Sequence, residues 1–129
     1  MKTPKKVLIL DQSAIFRQTL KEVIQTSATQ VEVKEADSAA AALPLLKTTL
    51  VDVVFFDIAL PRENGIAFIA SIKAMLPDSR IVVLTSHDSA EHEAAAIQNG
   101  ADYFLSKERS GGLRLIDVIH TALRRNDNP

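Results

Sequence analysis

The chain contains no cysteine, which rules out disulfides, thiolate metal sites and a cysteine nucleophile and leaves the redox compartment undetermined. Neither sign of charge dominates: the formal net charge is -1 at pH 7, so there is no broad attraction to nucleic acid or to an anionic membrane surface, and direct nucleic-acid binding is not expected. Long hydrophobic runs are missing as well. The start, Met1-Lys2-Thr3-Pro4-Lys5-Lys6, is charged. The apolar run behind it, Val7-Leu8-Ile9-Leu10, is far too short for a signal-peptide core or a membrane span. The cytoplasm is the expected compartment. The turn after this run, Asp11-Gln12-Ser13, has no glycine, so a pyrophosphate could not approach the backbone there as it does in dinucleotide-binding folds. No internal repeat, low-complexity tract or interdomain linker interrupts the chain.

The 129 residues, 47% hydrophobic and 24% charged, suit one soluble domain with a single buried core. Residues 1–129 are read as that domain, with a polar tail at 124–129. Short apolar runs alternate with segments of helical period. Val7-Leu8-Ile9-Leu10 reads as a strand buried on both faces. Phe16, Leu20, Val23 and Ile24 follow at helical spacing behind Ser13, a plausible cap. Val31-Glu32-Val33-Lys34 alternates strictly, as a strand near the sheet edge with one wet face should. Asp37 and Ser38 could cap a helix over residues 39–46, but Pro44 lies inside that run and would kink the helix unless it starts late.

Residues 51–56 form the strongest strand, halting at Asp57 ahead of Pro61 and the turn pair Asn64-Gly65. Ile66, Ile69, Ile72 and Leu76 give the next helical stripe, and residues 81–84 a fourth strand that stops at Thr85-Ser86. Residues 90–98 read as a helix of mostly alanine whose thin apolar stripe rests on Ile97, stopped by Asn99-Gly100. Tyr103-Phe104-Leu105 is a fifth strand, and Gly111-Gly112 leads to a last helix carrying Leu113, Ile116, Ile119 and Leu123. Five strands separated by helices predict a doubly wound α/β domain with a parallel sheet and helices on both faces.

Such folds bind ligands beyond the carboxyl ends of their strands. Those ends fall at Asp11-Gln12, Asp37, Asp57, Thr85 and Lys107, and four of the five carry a residue suited to phosphoryl chemistry. Asp11 offers oxygen ligation to Mg²⁺, Asp57 can bind metal or attack as a nucleophile, Thr85 can donate to a phosphoryl oxygen, and Lys107 can pair with its charge. Taken singly, each could be a turn, cap or loop residue. Together on one sheet edge they mark a site.

Four stretches, Val7-Leu8-Ile9-Leu10-Asp11, residues 52–61 with Gly65 behind them, Thr85-Ser86, and Gly100-Ala101-Asp102-Tyr103-Phe104-Leu105-Ser106-Lys107, closely resemble the response-regulator receiver family of two-component signalling. The resemblance covers essentially the whole chain. It implies a flavodoxin-like sheet in the order 2-1-3-4-5. It also implies that Asp57 accepts a phosphoryl group from a histidine kinase or phosphotransfer protein. Mg²⁺ would be held by Asp11, Asp57, the Ala59 backbone carbonyl and the residue at Gln12, while Thr85 and Lys107 bind the phosphoryl oxygens. Phe104 would be the aromatic switch residue coupled to Thr85, and the face made by helix four, strand five and helix five would engage a downstream protein or a second copy of the domain. His87, two residues past Thr85, falls where family side chains overhang the pocket mouth; an exposed loop histidine is the plainer reading. His92 and His120 are read as surface residues, with no spacing that suggests zinc.

Three positions depart from the family pattern. Gln12 replaces the second of two adjacent acids, and one unit charge at about 4 Å in an effective dielectric near 20 is on the order of 4 kcal/mol before desolvation, so weak Mg²⁺ binding and slow phosphorylation are expected. Glu108 replaces the usual proline after Lys107, where a non-proline cis bond would cost about 3 kcal/mol. Phe104 replaces the commoner tyrosine and has only packing to define its positions. The domain is read as a signalling phosphoacceptor, at most a slow autophosphatase and not otherwise an enzyme. The competing reading is a degenerate receiver that docks proteins without phosphorylation. An aspartate-nucleophile phosphatase is disfavoured because Ala59 stands where a second acid belongs.

Overall fold

The structure, a computed structural model, describes residues 3–109 and 111–124. Arg125 onward in the polar tail therefore lies outside the described residues. The elements alternate as β1 (Lys5–Leu10), α1 (Ala14–Ser27), β2 (Val31–Ala36), α2 (Ala39–Thr48), β3 (Val53–Phe56), α3 (Gly65–Met75), β4 (Arg80–Thr85), α4 (Ala90–Gln98), β5 (Tyr103–Ser106) and α5 (Gly112–Arg124). All strand pairs are parallel, in the order β2-β1-β3-β4-β5. This is the doubly wound arrangement that the alternation of strands and helices predicts, in the flavodoxin-like strand order that the family resemblance implies.

The period-two pleat sorts each central strand onto two cores. Val7 and Ile9, Val53 and Phe55, and Val82 and Leu84 face a cluster completed by Leu20 and Ile24 of α1 and by Val118, Ile119, Ala122 and Leu123 of α5. Leu8 and Leu10, Val54 and Phe56, and Ile81 and Val83 face the opposite cluster, closed by Ala42 and Leu46, Ile69 and Ile72, and Ala96 from α2, α3 and α4. Burial on both faces explains why these strands read as unbroken apolar runs. At the edge, β2 keeps Glu32 and Lys34 exposed between half-buried Val31 and Val33, as its alternation requires.

Each of the first four helices starts on a side-chain cap: Ser13, Ser38, Asn64 and Ser89 accept from the backbone N–H three residues on. Helix α2 does not start late to avoid Pro44. It runs from Ala39 with Pro44 inside it, and both Pro44 and Ala40 are exposed, so the carbonyl that loses its donor is within reach of water. Two stripe assignments rotate. In α4 the buried residue is Ala96, while Ile97 is 46% exposed. In α5 Leu113 is 86% exposed and Ile116 only half-buried, the core side being Val118, Ile119, Ala122 and Leu123. Strand β3 begins at Val53, yet Asp52 still donates its N–H to the Lys6 carbonyl and accepts from Arg80 N–H. Among the described residues, no helix is long and apolar enough to cross a membrane.

Candidate functional site

The register of the sheet brings the carboxyl ends of β1, β3, β4 and β5 to one rim, and the backbone locks them there. Asp11 N–H donates to Ala36 O at 3.1 Å, Asp57 N–H to Leu10 O at 3.0 Å and Lys107 N–H to Thr85 O at 2.9 Å. Each bond ties the residue after one strand to the end of its neighbour. Gly65 completes the frame, because a Cβ there would fall 2.1 Å from the Ile58 carbonyl oxygen, one residue beyond Asp57.

The side chains then converge. Thr85 Oγ1 donates to Asp57 Oδ1 at 2.6 Å, and the same oxygen accepts from Ala59 N–H at 2.9 Å. Lys107 Nζ donates to Asp57 Oδ2 at 2.9 Å and lies 2.7 Å from Asp11 Oδ2. Asp11 Oδ1 accepts from Ser13 N–H at 2.8 Å. Its Oδ2 is buried and, despite the short ion-pair distance to Lys107, has no hydrogen bond of good geometry. The contact is best described as charge on charge. Asp11, Asp57 and Thr85 are 2%, 5% and 0% exposed, so these are buried polar groups that require partners. Burial alone would lower the Lys107 pKa, but its close contacts with the Asp11 and Asp57 carboxylates outweigh it and hold the ammonium above its ordinary value.

Gln12 sits apart from this cluster. It is exposed, and its Nε2 donates to the Ala59 carbonyl at 3.2 Å, which covers one oxygen expected to face a metal. The oxygens of Asp11, Asp57 and Ala59 are hard donors that suit Mg²⁺ or Ca²⁺, and the unsatisfied Asp11 Oδ2 is the atom a cation would complete. The set therefore fits a hard divalent ion, with fewer charges than a three-acid site. Among the described residues no group of three or more acidic or imidazole side chains forms. Lys107 already answers part of the demand for positive charge.

A cleft of about 780 Å³ opens beside the cluster, with Gln12, Ala59, Glu63, Asn64, His87 and His92 among its walls. His87 and His92 stack with ring centroids 5.3 Å apart, and Ser89 Oγ bonds His92 Nδ1 at 2.9 Å. His92 is exposed, as a surface residue should be, and its ring also lines this cleft. His120 is exposed and bonds the Ser27 carbonyl at 2.8 Å, far from the site.

Phe104 is half-buried against the core on the α2, α3 and α4 side, opposite Val83 in the sheet register. Asp37 follows β2 directly, is exposed, and does not join the cluster. Among the described residues no peptide bond is cis, so the Lys107–Glu108 bond is trans. Ser106, the last residue of β5, holds the turn that follows. Its Oγ accepts from Glu108 and Arg109 N–H at 3.2 and 3.0 Å and donates to Asp88 Oδ2 at 2.5 Å. That hydroxyl bond, opposed by burial and aided by the Arg109 charge, holds Asp88 below its ordinary carboxylate value. Sequence reasoning did not foresee this network, nor Arg17, which donates to the Asp11 carbonyl at 2.5 Å and to Glu35 Oε1 at 3.0 Å. Arg17 and Ser106 are single polar residues without a motif. Only the fold shows what they reach.

Comparison with known proteins agrees with the geometry. Residues 7–119 match the family described as the response regulator receiver domain. The uncharacterized transcriptional regulatory protein YxjL of Bacillus subtilis is 31% identical over 119 residues, spanning 92% of this chain and 54% of that protein. A Burkholderia pseudomallei response regulator, solved with a phosphorylated aspartic acid, calcium and citrate, superposes with TM-score 0.79 at 28% identity, covering 95% of this chain and 68% of that one. The beryllofluoride-activated NtrC4 receiver domain dimer gives TM-score 0.81 at 26% identity, with 92% and 95% covered. The chain spans about half the length of the curated relatives it matches.

Proposed function

The chain belongs to the response regulator receiver family, and on that premise we propose that it accepts a phosphoryl group on Asp57 from a histidine kinase or phosphotransfer protein in the cytoplasm and passes the signal on through a changed surface. The observation that carries this reading is the single ammonium of Lys107 bridging Asp57 Oδ2 and Asp11 Oδ2 at 2.9 and 2.7 Å, with the Thr85 hydroxyl on Asp57 Oδ1.

In the transfer, an Asp57 carboxylate oxygen attacks phosphorus, the P–N bond to the donor imidazole breaks, and an acyl phosphate forms. Oδ2 carries one donor against two on Oδ1 and so keeps the freer lone pair. Lys107 meets the charge that gathers on the phosphoryl oxygens. Thr85, now on Asp57 Oδ1 and accepting from His87 N–H at 3.1 Å, can turn its proton to a phosphoryl oxygen. A divalent ion held by Asp11, Asp57 and the Ala59 carbonyl would supply further positive charge for those oxygens, weakly here because Gln12 brings an amide in place of a carboxylate. His87 sits at the rim where a donor enters.

A phosphoryl group adds about two negative charges and three acceptors beside Thr85 and Lys107. Drawing Thr85 onto it alters the β4 end and, through Phe104, the face of α4, β5 and α5. Helix α4 buries Ala96 alone, so little packed area resists its displacement. That face would engage a downstream protein or a second copy. Return to the resting state would need nothing beyond slow hydrolysis of the acyl phosphate. The Gln12 amide on the Ala59 carbonyl favours one alternative, a docking module that works without phosphorylation. The experiment is incubation with acetyl phosphate and Mg²⁺ followed by intact mass, with Asp57→Asn as control. One added phosphoryl group in the wild type alone supports the acceptor; none supports the docking module.

A further inference from the structure

The ammonium of Lys107 has a neighbour that the acceptor chemistry does not assign. Its Nζ stands over the Phe16 ring, 4.0 Å from the ring centre. Phe16 shares the α1 stripe with Leu20 and Ile24, but those are 2% and 0% exposed, whereas Phe16 is half-buried and packs at the border of the core cluster. Its ring serves the site as well as the core.

Local structure fixes the ring. Ser13 N–H donates to Asp11 Oδ1 at 2.8 Å, and Ser13 Oγ in turn accepts from Phe16 N–H at 3.2 Å. One short stretch therefore joins the Asp11 carboxylate, the helix cap and the aromatic platform. Arg17 pins the same turn from beneath through the Asp11 carbonyl and Glu35.

We propose that Phe16 is a positioning residue for phosphoryl acceptance, its ring face holding the Lys107 ammonium in the gap between Asp11 and Asp57. The inference rests on Asp57 being the acceptor. Its chemical logic lies in the donor inventory. A lysine ammonium has three N–H donors on a flexible four-carbon stem; one is donated to Asp57 Oδ2, and the charge lies 2.7 Å from Asp11 Oδ2 without a hydrogen bond of good geometry. A polar residue in place of Phe16 would take up a further donor or pull the group aside. An aromatic face attracts the positive charge without consuming a donor, which leaves an N–H for an incoming phosphoryl oxygen. An aliphatic side chain would fill the same space but give the charge nothing to rest on.

The test compares wild type, Phe16→Leu and Phe16→Tyr in the full 129-residue chain. NMR reads the ring-current shift of the Lys107 methylene protons next to Nζ, and intact mass reads the rate of phosphoryl uptake from acetyl phosphate with Mg²⁺. The expected result is upfield-shifted methylene signals in wild type and Phe16→Tyr but not in Phe16→Leu, with uptake about three- to tenfold slower in Phe16→Leu and near wild type in Phe16→Tyr. Unshifted methylene signals in the wild type, or a folded Phe16→Leu that phosphorylates at the wild-type rate, overturns the proposal. Absence of uptake in the wild type overturns the acceptor reading and the role in acceptance with it, and the shift comparison still decides whether Phe16 holds Lys107.

Discussion

Replacing Lys107 by methionine keeps most of the stem and removes the charge, so it isolates what the ammonium does. The group lies 2.7 Å from Asp11 Oδ2 and 2.9 Å from Asp57 Oδ2, with side-chain exposures of 16%, 3% and 6%. At an effective dielectric near 20 each attraction is about 6 kcal/mol, and desolvation offsets the larger part. Breaking a pair this buried leaves an uncompensated charge, and here it leaves two that repel each other. A net loss of about 3 kcal/mol is expected, or roughly 10 °C in Tm for a chain of this size. Asp11→Asn distinguishes this from lost packing. In the Lys107→Met background it removes one of two unpaired carboxylates, so its effect should be more favourable than in the wild type by about 2 kcal/mol. Urea unfolding of the four proteins of the cycle at neutral pH measures this coupling. Additive effects, within about 0.5 kcal/mol, refute the idea that one ammonium compensates both acids.

Three further outcomes are expected. Wild type should bind Mg²⁺ more weakly than about 1 mM, and Gln12→Asp, which restores a charge and frees the Ala59 carbonyl, should bind at least about tenfold more tightly by calorimetry. The folded Lys107 holds its proton above the ordinary value of 10.5. The stability this contributes is fully present below that value and is lost as pH rises through the folded pKa, so urea unfolding free energies should decline above about pH 10.5 in wild type and less so in Lys107→Met. Gly65→Ala should destabilise by about 2–3 kcal/mol, since its Cβ would meet the Ile58 backbone at 2.1 to 2.7 Å; a melting temperature equal to wild type would show that the β3–α3 turn yields easily.

Much of this architecture was legible because buried parallel strands announce themselves. Residues 7–10, 53–56 and 81–84 have no polar side chain and needed none, being covered on both faces. The strand ends then followed, and with them Asp11, Asp57, Thr85 and Lys107 as neighbours. Helix faces were harder to place. Ile97 and Leu113 are apolar yet exposed, since the sheet geometry turns Ala96 and Val118 inward and leaves those larger residues on the outer side. Pro44 misled for a related reason: a missing backbone donor is tolerated where the carbonyl above it can reach water. The partners of Gln12, Ser106 and Phe16 depended on how loops from different strands meet, which no spacing within one segment encodes. The pairing of Gln12 with Ala59 crosses 47 positions, and that of Lys107 with Asp57 crosses 50.

The central claim concerns one side chain, and borohydride reduction reads it directly. An acyl phosphate on an aspartate is reduced to homoserine, which peptide mass spectrometry locates by residue. After treatment with acetyl phosphate and Mg²⁺, the account predicts homoserine at position 57 in the wild type. Homoserine at another aspartate, or none anywhere in a folded and metal-supplied protein, contradicts it.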